Sequence, residues 1–149
     1  MLERAHPPQR PRAGKKPPKK KTPHPAGRGV GLAFGPTWCP PCRKAMPKLD
    51  ELQKQHKEDL VVIGISDEAE SKVSGFLKKN PHQYPQAVDQ SRTVSNALQI
   101  QGIPHVVVLS SDGTIRWQGN PLDPKFPKVV ADVIAADPGV AARKAASEG

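Results

Sequence analysis

The chain has 149 residues, of which 36% are hydrophobic and 25% are charged, and its formal charge at pH 7 is +9. This composition allows one folded domain with a modest core, and no stretch approaches the ~20 apolar residues of a membrane-spanning helix. No apolar run of about 7–15 residues precedes Val30, and we therefore expect no signal peptide.

Residues 1–28 differ from the rest of the chain in composition. They hold seven of the 18 prolines, and their nine basic and one acidic side chains give them a formal charge of +8. With almost no large apolar side chains, this stretch cannot bury enough surface to offset the entropy of ordering, so we predict a disordered tail. The basic run at 15–21 favours weak contact with a polyanion, although a solvated linker is the simpler interpretation.

In chain order, the first half alternates short apolar runs with helical patterns. Strands are predicted at 30–34 and 60–65, where the apolar residues are continuous. A helix is predicted over 40–57, with a kink at Pro47 because proline lacks the N–H that a helix interior uses. A second helix is predicted over 66–80, capped by the Ser-Asp pair at its start.

The second half is predicted to end in a hairpin and a helix. A brief strand at 86–88 is followed by a helix from about Ser91. Strands at 106–109 and 114–117 flank an Asp-Gly turn, which suits the positive φ angles of a hairpin. A last helix is predicted with Asp123 as its cap and a proline at its first position.

The predicted element order is β–α–β–α–(β)–α–β–β–α. A crossover between parallel strands in the first half and a hairpin in the second predict an α/β fold, a mixed central sheet with helices on both faces. We place this folded domain at 29–136, followed by an Ala-rich C-terminal tail at 137–149. The segment 137–139 is expected to end the last helix, and 140–149 is expected to be frayed.

The two cysteines of the chain, Cys39 and Cys42, are spaced C-x-x-C. A structural zinc site normally needs four ligands, and this pair supplies half of one. A C-x-x-C next to a βαβ pattern is instead typical of a redox pair. Cys39 lies at the start of the predicted helix, whose dipole stabilises an anion, and Cys42 lies one turn on, within disulfide distance.

Several motifs of this sequence resemble one family in combination. They are T-W-C-P-P-C-R-K at 37–44, M-P at 46–47, V-I-G-I-S at 62–66, G-I-P at 102–104 and L-S-S-D-G-T-I at 109–115. Together they resemble the thioredoxin superfamily and, within it, the TlpA/ResA-like disulfide oxidoreductases. The resemblance covers roughly 29–136, and it implies a thioredoxin-like fold and thiol–disulfide oxidoreductase activity.

The resemblance also implies roles for individual residues. Cys39 matches the family's nucleophile, Cys42 its resolving cysteine, and Pro104 the cis-proline that faces the disulfide. The residues expected to contact the substrate are Trp38, Ile103 and Pro104. The residues expected to position the motif and its helix are Pro40, Pro41 and Pro47.

The same resemblance implies the partners of the chain. We expect a protein or small-molecule disulfide as the substrate and a thiol as the electron donor, with no cofactor and no metal ion. A monomer is expected. Relatives of this branch are mostly envelope proteins, which favours the bacterial periplasm or cell envelope, whereas the missing signal peptide favours the cytoplasm.

The two prolines of the motif affect its chemistry directly. Neither Pro40 nor Pro41 has an N–H, so a thiolate at Cys39 loses two possible donors and keeps mainly the Cys42 amide. We expect this thiolate to be less stabilised than in motifs with donors between the cysteines, which favours a reductant over a strong oxidant. The two basic residues after Cys42 act in the opposite direction if they point toward the thiolate.

The sequence departs from the family pattern at two positions. Ala33 and Ala45 stand where many relatives carry an acid that moves a proton from the second cysteine. Because a general base typically accelerates such a step 10²–10⁴-fold, resolution by Cys42 is expected to be slow or to use water. His105, next to Pro104, either assists Cys42 or is an ordinary strand histidine with its ring turned away.

Three other functions compete with the redox hypothesis. A copper-handling protein would use Cys39, Cys42 and His105, because soft thiolates with imidazole suit Cu(I). A redox-inactive binding module would use the basic tail to hold a polyanion. A peroxiredoxin-like peroxidase is rejected, since the Pro and Thr expected seven and three residues before its cysteine are Leu32 and Pro36 here.

Overall fold

The computed structural model describes residues 26–148, so the predicted basic tail lies outside the described residues apart from its last three. The strands in this range are β1 (Gly29–Phe34), β2 (Leu60–Ser66), β3 (Gln86–Val88), β4 (His105–Leu109) and β5 (Ile115–Gly119). The helices are α1 (Pro40–Gln55), α2 (Glu70–Lys79), α3 (Thr93–Ala97), α4 (Phe126–Ala135) and α5 (Pro138–Glu148). Across 26–148, no helix combines the length and the apolar character needed to cross a membrane.

The five strands form one mixed sheet in the order β3-β2-β1-β4-β5. β1 lies at the centre, parallel to β2 and antiparallel to β4. Phe34 at its end stands opposite Ile65 on one side and His105 on the other. The ends of β1 and β2 and the start of β4 therefore meet at one edge of the sheet. The predicted α/β fold with a mixed sheet is confirmed.

Core side chains lie on both faces of this sheet. Val106 and Val108 of β4 belong to the larger cluster and Val107 to the smaller one, as the two-residue alternation of a strand requires. The larger cluster includes these side chains from α1 and α4: Ala45, Leu49, Leu52, Val130 and Ile134. Each fully buried aliphatic side chain contributes about 1.5–3 kcal/mol, so this cluster holds both helices on the sheet.

Helix α2 begins later than predicted. Ser66 and Asp67 were expected to cap it, but its N-cap is Ala69, which makes no side-chain capping bond. The Ser66 hydroxyl instead accepts the N–H of Glu68 at 3.1 Å. This local turn uses the expected capping group, so the prediction of a Ser-Asp cap is wrong.

The last predicted helix also begins later than expected. The Asp123 carboxylate accepts the Lys125 N–H at 2.9 Å in a turn, and α4 starts at Phe126 with Lys125 as its N-cap. The hairpin strand before it, predicted over 114–117, is β5 and extends to Gly119. Local side-chain hydrogen bonds compete with helix capping, and here the Asp123 carboxylate closes a turn, so the prediction of an Asp123 cap is wrong.

The predicted fraying of 140–149 is contradicted by helix α5, which extends to Glu148. Val140 is 2% exposed and belongs to the larger core cluster. Three residues later, Arg143 donates from Nε to the Gly27 carbonyl at 3.0 Å and pairs with the carboxylate of Asp59. Val140 and Arg143 are three positions apart in a segment of otherwise small and polar residues. This pattern is too weak to predict a packed helix from the sequence.

Asp137 fixes the start of α5 and is 3% exposed. Its carboxylate accepts the Ser111 N–H at 2.7 Å, the Ser111 hydroxyl at 2.5 Å and the Gly139 N–H at 3.0 Å. Burial raises the pKa of Asp137, but the hydrogen bonds from Ser111 and Gly139 outweigh it and hold the pKa below its usual value. The folded chain therefore contains an ionised Asp137 at neutral pH.

We expect Asp137→Asn to lower the free energy of unfolding by about 2 kcal/mol at pH 7, because hydrogen bonds to a charged acceptor are lost. Since the folded-state pKa lies below the unfolded value of about 3.9, the carboxylate's contribution is complete above that pH. It is lost as the pH falls through the folded-state pKa. Urea titrations of both proteins from pH 7 to pH 2 should converge in acid, and a constant difference would contradict this assignment.

The two glycines of β1 differ in the room around them. A Cβ at Gly31 would approach Val62 Cγ2 at 4.0 Å, whereas a Cβ at Gly29 would lie 3.3 Å from the Leu109 carbonyl oxygen. We expect Gly31→Ala to raise the free energy of unfolding by about 0.5–1 kcal/mol, because alanine has less backbone freedom to lose. Gly29→Ala is the matched control. Denaturant titration should show a smaller gain, or a loss, for Gly29→Ala, and equal gains would refute the steric argument.

Candidate functional site

The Cys39–Cys42 pair lies at the N-terminus of α1, at the sheet edge where β1 and β2 end. Cys39 is the N-cap residue, with an extended backbone (φ −84°, ψ 114°), and Cys42 lies in the first turn. A disulfide joins them, with the two Cα atoms 5.1 Å apart. Both residues are buried, at 4% and 3% exposure. The geometry lets the pair form a disulfide within one helical turn.

The Cys39 sulfur occupies the place of an N-cap acceptor. The Cys42 N–H donates to the Cys39 Sγ at 3.3 Å. Pro40 and Pro41 fill the first two helical positions without an N–H, and the Arg43 N–H donates to the Cys39 carbonyl at 3.0 Å. Among the first four residues of α1, the Cys42 amide is therefore the one backbone donor to this sulfur, as the two prolines predicted.

We expect Pro41→Ala to stabilise the Cys39 thiolate, because it adds an N–H at a helix position that N-cap side chains use. Stabilising the reduced form makes the reduction potential of the pair less negative, by about 30 mV for a tenfold change in the equilibrium constant. Equilibration with glutathione buffers measures this shift. Pro127→Ala, at the same second position of α4, is the control, and an unchanged or more negative potential in Pro41→Ala would contradict the argument.

The loop before β4 faces the motif across the sheet edge. The Ile103–Pro104 peptide bond is cis, as predicted, and Pro104 is buried. Trp38 and Ile103 are exposed apolar residues, at 65% and 43%. They line a groove of about 240 Å³ whose wall also contains Ile100 and Arg92. The structure thus brings the three residues predicted for substrate contact to the same side of the molecule as the disulfide.

Cys42 points toward space that two alanines leave open. A Cβ at Gly35 would lie 3.0 Å from the Cys42 Cβ and Sγ, so this position has no room for a side chain without displacement. A cavity of about 20 Å³, enough for roughly one water molecule, lies beside Cys42 with Ala33 and Ala45 in its wall. The two positions at which the sequence predicted a missing acid, Ala33 and Ala45, therefore border a small cavity.

Polar side chains complete the wall of this cavity, namely Tyr84, Gln86 and His105. Burial, with a further contribution from the Asp50 carboxylate, raises the pKa of Tyr84 far above its usual value, so its hydroxyl stays protonated. His82 stacks on Tyr84 with ring centroids 3.9 Å apart, and its Nε2 lies 3.3 Å from Gln86 Nε2. Burial lowers the pKa of His82 although Asp50 opposes this. The wall of the cavity beside Cys42 thus includes a protonated tyrosine hydroxyl and a side-chain amide.

The His105 ring is engaged by the neighbouring strand. Its Nε2 lies 3.0 Å from the Gln118 Oε1 on β5. Over residues 26–148, no group of three or more His, Cys, Asp or Glu side chains is arranged to hold a metal ion. The copper hypothesis required His105 together with the two thiolates, and the described residues do not favour it.

One carboxylate beside the motif was not identified from the sequence. Glu68 accepts the Thr37 N–H at 2.5 Å, the Thr37 hydroxyl at 2.7 Å and the Ser66 hydroxyl at 2.9 Å. Glu68 follows Thr37 by 31 positions and lies in a stretch with the pattern of a helix cap. The signal that locates it is the parallel pairing of β1 with β2, which brings the ends of both strands together.

The sheet, the cis-proline loop and the disulfide at a helix N-terminus define a thioredoxin-like protein with a C-x-x-C dithiol. A model of the Redoxin family matches residues 10–134, and the chain belongs to that family. Helix α5 lies beyond the matched range. The resemblance to the thioredoxin superfamily that the motifs indicated is confirmed.

Curated relatives agree with this assignment. The chain is 34% identical over 91 residues to "Thiol-disulfide oxidoreductase ResA" of Bacillus cereus, an alignment that covers 60% of this chain and 53% of the relative. It is 28% identical over 94 residues to "Thioredoxin-like protein YneN" of Bacillus subtilis, an alignment that covers 60% and 55%. The chain therefore spans about half the length of the curated relatives it matches.

Solved structures share the fold at low sequence identity. A putative thioredoxin from Neisseria meningitidis superposes with a TM-score of 0.69 at 19% identity, covering 76% of this chain and 79% of that one. A putative thiol:disulfide interchange protein DsbE from Chlorobium tepidum gives a TM-score of 0.67 at 22% identity, covering 75% and 81%. These likenesses establish the thioredoxin-like fold.

Proposed function

We propose that this protein is a thiol–disulfide oxidoreductase that reduces protein disulfides through Cys39 and Cys42. The observation that carries the proposal is the disulfide between these residues at the N-terminus of α1, beside a cis-proline loop. The names of the matched relatives support the same reaction. The proposed electron donor is a thiol that reduces the Cys39–Cys42 disulfide after each turnover.

Cys39 is the proposed attacking sulfur. As the N-cap residue it lies at the positive end of the helix dipole and accepts the Cys42 N–H, and both contacts stabilise a thiolate. The Cys39 thiolate attacks one sulfur of the substrate disulfide and breaks the S–S bond. One substrate sulfur leaves as a thiolate, and the other is held to Cys39 in a mixed disulfide.

Cys42 is the proposed resolving sulfur. Its thiol loses a proton, and the thiolate attacks the Cys39 Sγ to form the internal disulfide. The second substrate sulfur then leaves, so two electrons have passed from the dithiol to the substrate. Because Ala33 and Ala45 supply no carboxylate, we assign the proton of Cys42 to the departing substrate thiolate or to water in the adjoining cavity.

The substrate is proposed to lie across the motif and the cis-proline loop. Trp38 and Ile103 line the groove with apolar surface, and Pro104, directly before β4, lines the same cavity as Cys42. An extended peptide beside these residues would bring its cysteine to Cys39.

Pro40, Pro41 and Pro47 keep their proposed positioning roles in α1. The basic tail over 1–28 is proposed to make weak polyanion contacts, and the chain is proposed to act as a monomer.

Cys42→Ser should accumulate a mixed disulfide between Cys39 and the substrate, because the second step has lost its nucleophile. A purified chain, reduced and mixed with a disulfide-bonded protein such as oxidised insulin, should give a covalent adduct on non-reducing gels. The adduct should disappear with dithiothreitol. Insulin reduction by the same variant should fall by roughly 100-fold or more, since a step that a positioned group accelerates typically slows by 10²–10⁴ when the group is lost.

Cys39→Ser is the matched control for this trap. It keeps one cysteine of the pair but removes the proposed attacking sulfur, so no adduct should form within the same time. Equal adduct formation by the two variants would reverse or abolish the assigned roles. Absence of insulin reduction by the unmodified chain would leave the redox-inactive binding module as the better description.

A further inference from the structure

Glu68 connects the end of β2 to the segment that enters the motif. Its carboxylate accepts both the N–H and the hydroxyl of Thr37, at 2.5 and 2.7 Å, and the Ser66 hydroxyl at 2.9 Å. The N–H of Glu68 itself donates to the Ser66 oxygen at 3.1 Å. Thr37 is therefore held through its backbone and its side chain by one carboxylate that Ser66 orients in turn.

This carboxylate is ionised in the folded chain. Burial raises the pKa of Glu68, but the hydrogen bonds from Thr37 and Ser66 and the charge of Lys72 outweigh it and hold the pKa below its usual value. Hydrogen bonds to an ionised acceptor are about twice as strong as neutral ones, so the two hydrogen bonds from Thr37 to Glu68 are strong.

We propose that Glu68 is a positioning residue for the dithiol, holding the Thr37–Trp38–Cys39 segment against the end of β2. The inference rests on the proposed function, in which Cys39 is the attacking sulfur. Thr37 precedes Cys39 by two residues, at most about 7 Å of extended chain, so movement at Thr37 passes directly to the sulfur. The Cys39 N–H donates to the Pro36 carbonyl at 3.5 Å, which is a long and weak hydrogen bond. The contact with Glu68 therefore holds this segment more strongly.

The position of Cys39 matters most when the dithiol is reduced. With the internal disulfide open, Cys39 is no longer tied to Cys42, and the Glu68 contact keeps the two sulfurs at closing distance. A fixed arrangement raises the effective concentration of one sulfur at the other and favours the disulfide. The anion of Glu68 acts in the same direction, because a negative charge bound to Thr37, two residues before Cys39, disfavours the thiolate of the reduced form. Losing Glu68 therefore shifts the equilibrium toward the dithiol.

The experiment compares Glu68→Gln with Asp137→Asn in the full chain. Asp137 is a matched control, since its carboxylate likewise accepts the N–H and the hydroxyl of one residue, Ser111, at a site built around α5. Hydrogen exchange reports the contact itself, and equilibration with glutathione reports the dithiol. Glu68→Gln should speed exchange of the Thr37 amide about tenfold and shift the thiol–disulfide equilibrium about tenfold toward the dithiol, which is about 30 mV.

The control and a second variant test whether the shift in the thiol–disulfide equilibrium comes from the position of Cys39. The alternatives are a lower overall stability and the loss of the Glu68 charge. Asp137→Asn should speed exchange at Ser111 and leave the glutathione equilibrium within about twofold of the unmodified chain, because distant sites act independently. Thr37→Val retains the Glu68 charge but loses the hydroxyl contact, and it should shift the equilibrium in the same direction by about threefold, a smaller loss than that of a charged acceptor. In the double variant the two shifts should be less than additive, because both act through one contact.

Two results would overturn the proposal. One is unchanged Thr37 exchange in Glu68→Gln, and the other is faster exchange with an equilibrium constant that matches that of the unmodified chain. A chain that equilibrates with glutathione but reduces no disulfide substrate would remove the proposed function and leave the Glu68 result standing. The two failures are therefore distinguishable.

Discussion

The pairing of β1 with both of its neighbours is the constraint on which the site depends. Phe34 lies opposite Ile65 in a parallel ladder and opposite His105 in an antiparallel one. This arrangement puts the exits of β1 and β2 and the entry to β4 at one edge, so the motif, the Glu68 turn and the cis-proline loop meet there. A slip of one residue would exchange the side chains of β1 between the two core clusters, and the packing of both clusters opposes it.

Those parts of the site that depend on local chemistry were predictable from the sequence. A cysteine before two prolines predicted one remaining backbone donor, and the Cys42 N–H is that donor. The cis bond before Pro104 followed from the combination of motifs, and the structure has it. The alanines at 33 and 45 predicted that the site lacks an acid, and a cavity of about 20 Å³ lies beside them.

The parts that the sequence did not reveal depend on carboxylates acting across long separations. Glu68 binds Thr37 over 31 positions and Asp137 binds Ser111 over 26, and nothing in the spacing of either pair marks it. In both cases the sequence suggested a different role for the segment, a helix cap for the first and the end of the last helix for the second. Only the strand pairing and the docking of α5 bring the partners together, so these contacts follow from tertiary structure.

The arrangement around Cys39 bears on the direction of the reaction. A strong oxidant is one whose reduced form is stabilised, chiefly by donors and positive charge at the thiolate. Here the two prolines remove donors, and the anion of Glu68 lies in the turn that holds the same segment. The basic residues after the motif, Arg43 and Lys44, are exposed, so water and salt screen their charge. Donors and charge together are expected to favour the disulfide form, which agrees with the proposed role of the dithiol as a reductant.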